Sequence, residues 1–158
     1  MRVRSPSPLR GERADPAYFA AFKSLVRRLR ASVKSGTAEV LPIYVAGGAA
    51  MHFYTGARVS DDVDAAFGGR LLLPSDLQVL YRDSQGTPRT LYFDPNYNET
   101  FALMHEDSHE DALPLALPDV AGVRVFLLQP VDLALSKLAR FADIDRADIL
   151  QLAKDGLI

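Results

Sequence analysis

Asp62 and Asp64 are the residues whose type and spacing most clearly suggest chemistry. They sit in the run Arg58, Val59, Ser60, Asp61, Asp62, Val63, Asp64, Ala65, Ala66, Phe67. The run predicts a strand. Strand side chains alternate between faces, so Asp62 and Asp64 share one face while Val63 and Ala65 point back into a core. Two carboxylates with Cα atoms roughly 6.5 Å apart on one rigid face can converge on a hard cation such as Mg²⁺, which prefers octahedral oxygen ligands. Upstream, the apolar run 43–45 is broken by Gly47-Gly48, and the small Ala49 and Ala50 allow a tight entry into a helix through Tyr54. Exposed backbone N–H groups at such a turn can hold the phosphates that a metal ion bridges. The combination has the geometry of a nucleoside-triphosphate site. The competing explanation is a strand edge carrying charges that discourage aggregation. Gly47-Gly48 together with Arg58 and Ser60 favours the metal site. Asp61 falls on the opposite strand face, where a structural or solvated role is expected.

The stretch 43–67 resembles the DNA polymerase beta-like nucleotidyltransferase superfamily, whose signature is an apolar strand, Gly-Gly or Gly-Ser, a short helix, then Asp-x-Asp on the next strand. Its order of Gly47-Gly48, Arg58, Ser60 and Asp62-Val63-Asp64 looks most like the bacterial branch that holds AbiEii-type toxins. A second block, 130–152, is similar to that branch's C-terminal helices, with Lys137, Arg140 and Asp148 at matching points. The resemblance covers about residues 40–155. It implies transfer of a nucleoside monophosphate from a triphosphate to the hydroxyl of an RNA end, a protein or a small molecule, with release of pyrophosphate. In that scheme Asp62 and Asp64 bind Mg²⁺, Gly47, Gly48 and Ser60 position phosphates, and Arg58 or Lys137 offsets developing charge. The resemblance also implies a possible toxin–antitoxin setting with a cognate partner. A catalytically inactive antitoxin or regulatory protein on the same fold is the alternative.

A polymerase-like site adds a third carboxylate on a neighbouring strand, and Asp94, at the end of 90–94, is the candidate metal ligand and catalytic residue. Asp before Pro also commonly starts a turn. Lys137 and Arg140 are spaced to share one helix face, away from Leu135, Leu138 and Phe141, where they could neutralise phosphate; Arg can do so bidentately. A salt bridge to Asp143 or Asp132 is the competing explanation, and the resemblance, more than the spacing, favours a functional Lys137.

His105-Glu106-Asp107-Ser108-His109 matches H-E-x-x-H, the zinc-peptidase pattern. That chemistry requires both histidines on one face of a continuous helix, plus a third ligand and an open position. Asp and Ser between them favour caps over helix interiors. A short helix at 108–113, capped by Asp107 or Ser108, is the preferred expectation.

The elements that must position these groups are those of an α/β fold: a small mixed sheet of nucleotidyltransferase type, packed helices, and a helical C-terminus. The chain has 158 residues, 48% of them hydrophobic, enough for one core. A flexible tail at 1–14 and a single domain at 15–158 are expected. Asp15-Pro16 is a helix start, with Phe19, Phe22, Val26, Leu29 and Val33 as its buried stripe and Gly36 as its stop. Short strands are expected at 71–73 and 123–127, a hairpin at 77–82 and 89–94, and short helices at 100–104 and 108–113. The final helices are expected at 130–142 and 145–154. The absence of cysteine excludes disulfides and thiol catalysis and fits a cytoplasmic protein. No apolar run approaches the roughly 20 residues that span a bilayer. Net charge is −2, but residues through Lys34 hold nine basic and two acidic side chains, net +7, leaving −9 for the rest. That basic segment could meet nucleic acid or an acidic partner; a solvated helix face is the simpler explanation.

Overall fold

The computed structural model describes residues 6–33, 40–69, 71–99 and 103–158. Among the described residues, four helices and six strands follow in the order α1 (Pro16–Ser32), β1 (Leu41–Ala46), α2 (Gly47–Thr55), β2 (Asp62–Phe67), β3 (Gln78–Arg82), β4 (Pro88–Phe93), β5 (Leu113–Leu115), β6 (Val123–Leu127), α3 (Pro130–Leu138) and α4 (Asp143–Lys154). The strands form one mixed sheet in the order β3-β4-β2-β1-β6-β5, the α/β architecture expected. β1 runs antiparallel to β2 and parallel to β6, and β2 runs parallel to β4. β2 therefore lies inside the sheet, so its aspartates are not charges guarding an edge.

Alternation along the strands divides the sheet into two faces. Ile43, Val45, Val63, Ala65, Leu91, Phe93, Val125 and Leu127 are buried and form the core with α1 and α2. Residues between them, including Tyr44, Asp62, Asp64, Tyr92 and Phe126, take the other face. Helix α1 begins as its sequence dictates: the Asp15 carboxylate accepts the Ala17 N–H at 2.8 Å, and Pro16 occupies the first turn. Tyr18, Phe22, Leu25, Val26 and Leu29 are its fully buried stripe, while Phe19 and Val33 pack only partly against the core.

The departures from expectation are local. Residues 106–110 form turns instead of starting a helix, and 113–115 continue as strand β5. β5 is held by pairing with β6, and Pro114 is tolerated because the strand lies at the sheet edge. Its outer side is met by Leu9, whose N–H donates to the Pro114 carbonyl and whose carbonyl accepts the Ala116 N–H, both at 2.8 Å. Residues 71–73 form no strand, although Leu71 and Leu73 pack against the core. Helix α3 stops at Leu138, four residues early, and Phe141 follows with φ 50°. Gly36 and most of the expected helix at 100–104 lie outside the described residues. Among the described residues no helix is long and apolar enough to cross a membrane.

Candidate active site

Because β2 alternates, Asp62 and Asp64 stand on the face away from the core. β4 runs alongside in parallel, with Tyr92 opposite Asp62 and Phe93 opposite Val63. The next residue, Asp94, donates its N–H to the Val63 carbonyl at 2.9 Å and so comes level with Asp64. One carboxylate oxygen from each of Asp62, Asp64 and Asp94 lies within 4.8 Å of the other two. Among the described residues no other group of three acidic or histidine side chains converges in this way. Asp94 also fills its turn role, accepting the Asn96 N–H at 2.8 Å through Oδ1.

The cluster is electrostatically strained. Burial, then the charges of Asp62 and Asp94 and a hydrogen bond with Asp94, push the Asp64 carboxyl up to about 6 despite the opposing charge of Lys137. Ser60 Oγ donates to Asp62 Oδ1 at 2.8 Å and fixes one carboxylate. These three aspartates suit a hard divalent cation, which would relieve their mutual repulsion.

Beside the carboxylates opens a cleft of about 310 Å³, lined by Gly47, Gly48, Arg58, Ser60, Asp62, Asp64, Lys137 and Arg140 among others. The glycines are demanded by space. A Cβ on Gly47, which has φ 57°, would collide with the Asp64 carboxylate; one on Gly48 would lie 2.9 Å from Ser60 Cβ and 3.3 Å from Arg58 Nη1. Helix α2 starts at Gly47 with no side chain capping its first N–H groups. Its positive end therefore faces the cleft.

The cations are all held in place. Arg58 donates to both carboxylate oxygens of Asp148 at 2.8 and 3.3 Å, and Lys137 Nζ lies 2.7 Å from Asp148 Oδ2. Burial opposes ionisation of Asp148, but the hydrogen bonds from Arg58 and Lys137 override it and hold its carboxyl below the ordinary value. Arg140 grips Asp145 with two hydrogen bonds at 2.8 and 3.0 Å. The partner of Lys137 is thus Asp148, and not Asp143 or Asp132.

Lys137 lies apart from Leu135, Leu138 and Phe141, but on the buried side. Lys137 is 7% exposed, whereas Leu135, Leu138 and Phe141 are 39%, 44% and 44% exposed. Lys137 turns inward because Asp148, on the next helix, supplies a buried counter-charge. Arg140 lies in the turn beyond α3, so the two cations reach the cleft from different local structures.

The structure adds residues that the motifs did not single out. Tyr97 lines the cleft; burial, with the charges of Glu99 and Asp64, raises its phenol well above the ordinary value. His52, buried in α2, receives the Asp15 N–H at Nε2 and donates from Nδ1 to the Arg58 carbonyl, at 2.9 and 2.8 Å. It ties the loop carrying Arg58 to the start of α1. A histidine amid the apolar residues 49–54 was the available sequence signal.

His105 and His109 do not form a zinc-peptidase pair. The segment is a series of turns, His105 accepts the Asp107 N–H, and His109 lies 2.9 Å from Glu99 and stacks on Tyr44 at 4.0 Å. The absence of a helix removes the one-face geometry that pattern needs.

Residues 21–154 match a protein family described as "Nucleotidyltransferase of unknown function (DUF6036)". No curated protein and no solved structure matches the chain significantly.

Proposed function

The chain belongs to this nucleotidyltransferase family, and from that premise we propose that it transfers a nucleoside monophosphate from a triphosphate to an acceptor hydroxyl in a Mg²⁺-dependent reaction. The observation that carries this reading is the convergence of Asp62, Asp64 and Asp94 beside a cleft that the uncapped start of α2 also lines. Asp62, Asp64 and Asp94 would hold Mg²⁺, which when bound stabilises charge on the attacking and leaving oxygens.

The remaining roles follow from placement. Gly47 and Gly48 let the triphosphate approach the backbone, and the N–H groups opening α2 donate to its oxygens. Ser60 holds Asp62 in orientation. Arg58 and Lys137, locked together by Asp148, contribute one net positive charge at a fixed position. Arg140 keeps a guanidinium side chain 72% exposed at the cleft while anchored to Asp145, so it can add a hydrogen bond to a phosphate without leaving its partner. These groups are already oriented, which reduces the reorganisation needed as charge shifts toward pyrophosphate. The acceptor oxygen bonds to the α-phosphorus as the bond to pyrophosphate breaks, and a carboxylate of the cluster takes up the hydroxyl proton.

The test is incubation with each α-labelled nucleoside triphosphate, Mg²⁺, and total RNA or cell lysate. Label should move to an acceptor, and Asp62→Asn or Asp64→Asn should abolish the transfer. A wild-type protein that binds a partner but transfers no label from any triphosphate would favour a regulatory member of the fold.

A further inference from the structure

In-line transfer puts the acceptor hydroxyl opposite the leaving pyrophosphate at the α-phosphorus, so the acceptor needs a site of its own beside the carboxylates. Asp94 is flanked in the chain by Phe93 and Pro95, and both line another groove, of about 510 Å³, with Leu73, Leu77, Gln78 and Tyr92. Tyr92 stands opposite Asp62 in the β2–β4 register and opposite Gln78 in the β3–β4 register. Side chains of directly paired residues share a sheet face, with neighbouring strands about 4.8 Å apart. Tyr92 and Gln78 thus carry the carboxylates' face of the sheet toward β3 at the rim of the groove, while its Phe93, Leu73 and Leu77 belong to or pack against the core. The cleft with its cations lies on the β1 side, where Ala46 pairs with Asp64.

We propose that this groove is the acceptor subsite, and that it takes an uncharged, ring-bearing alcohol of small-molecule size. The inference rests on the transferase reading above. All residues lining the groove are uncharged, so a phosphodiester backbone or a second triphosphate would find no counter-charge there. Tyr92 is 39% exposed and offers a flat surface for a ring, while Gln78 and Ser75 supply the few polar contacts that fix orientation. The volume lies within the range of sites that bury a small ligand. An occupant seated on Tyr92 would have its hydroxyl within reach of Asp62 and Asp94, where the α-phosphorus must also lie.

The test uses the full chain saturated with Mg²⁺ and a non-hydrolysable ATP analogue. N-acetyltyrosinamide is the neutral probe, and its O-phosphorylated form is the charged control. Saturation-transfer NMR should detect the neutral probe and not the control. Tyr92→Ser and, independently, Ser75→Arg in the turn before β3 should weaken the neutral probe at least tenfold. Nucleotide affinity in both variants should stay within twofold of wild type. Equal binding of the phosphorylated probe, or displacement of the neutral probe by a short single-stranded RNA, would overturn the neutral small-molecule assignment. A parallel loss of nucleotide affinity would mean that the groove holds the donor. Wild-type protein that binds the probe through Tyr92 but no nucleotide would reject the transferase reading, and the acceptor role with it.

Discussion

The two walls of the cleft treat charge in opposite ways. On the basic wall every cation has a partner: Arg58 and Lys137 share Asp148, and Arg140 holds Asp145. On the acidic wall Asp62, Asp64 and Asp94 face one another, with Asp64 shifted to about 6 by burial and by its neighbours. The basic wall is complete in the protein alone. The acidic wall is strained, and only an added cation or a proton relieves it. The difference separates a part of the site that sustains the fold from a part that the fold sustains at a cost in stability.

The most severe way to break this comparison moves a carboxylate one residue along β2. Val63 is fully buried, so Val63→Asp places an unpaired charge in the core and should unfold the domain, as read by circular dichroism. Asp64→Asn, next to it, should leave the thermal midpoint unchanged or raise it, while transfer falls at least about a thousandfold, since metal-borne stabilisation is worth several kcal/mol. A tolerated Val63→Asp beside an unfolded Asp64→Asn would mean the strand faces the other way.

The same conservative change on the basic wall has the opposite sign. Asp148→Asn leaves Arg58 and the buried Lys137 without their counter-charge, and denaturant titration should show a loss on the order of 3–5 kcal/mol. If Asp148→Asn and Asp64→Asn shift stability alike, the two walls are not different in kind.

A smaller effect should appear with pH in the metal-free protein. The folded Asp64 has a raised pKa, so its contribution to stability is fully present below the ordinary value of 3.8 and is lost as pH rises toward about 6. Asp145 and Asp148 have lowered values, so their contributions hold above 3.8 and disappear as pH falls below it. Thermal melts across this range should therefore fall off in both directions. Asp64→Asn should flatten only the decline between pH 4 and about 6.

The acidic wall was the more legible of the two in the sequence. Alternation around Asp62-Val63-Asp64 fixes which side chains leave the core, and Gly47-Gly48 marks a turn too crowded for a Cβ. Both are short-range signals. Asp94 joined the cluster through a strand pairing that places 62–63 beside 92–93, a contact the hairpin pattern at 77–94 made reachable. The basic wall was harder to read because its orientation depends on a distant partner. Leu135 and Leu138 are exposed while Lys137 between them is buried, the inverse of what hydrophobicity alone dictates. Asp148, eleven positions beyond Lys137, turns the lysine inward instead. Strand β5 was missed for a similar reason. Three residues with a central proline carry almost no strand signal, and pairing with β6 and Leu9 supplies what local preference lacks.

The central claim is that the acidic wall exists to hold a cation that in turn holds a nucleotide. Isothermal calorimetry of a nucleoside triphosphate binding to the wild-type protein, with Mg²⁺ and then with chelator, tests it directly. Without the cation the triphosphate meets three aspartates, so binding should be strong with Mg²⁺ and nearly lost without it. Equal affinity in both conditions would contradict the claim.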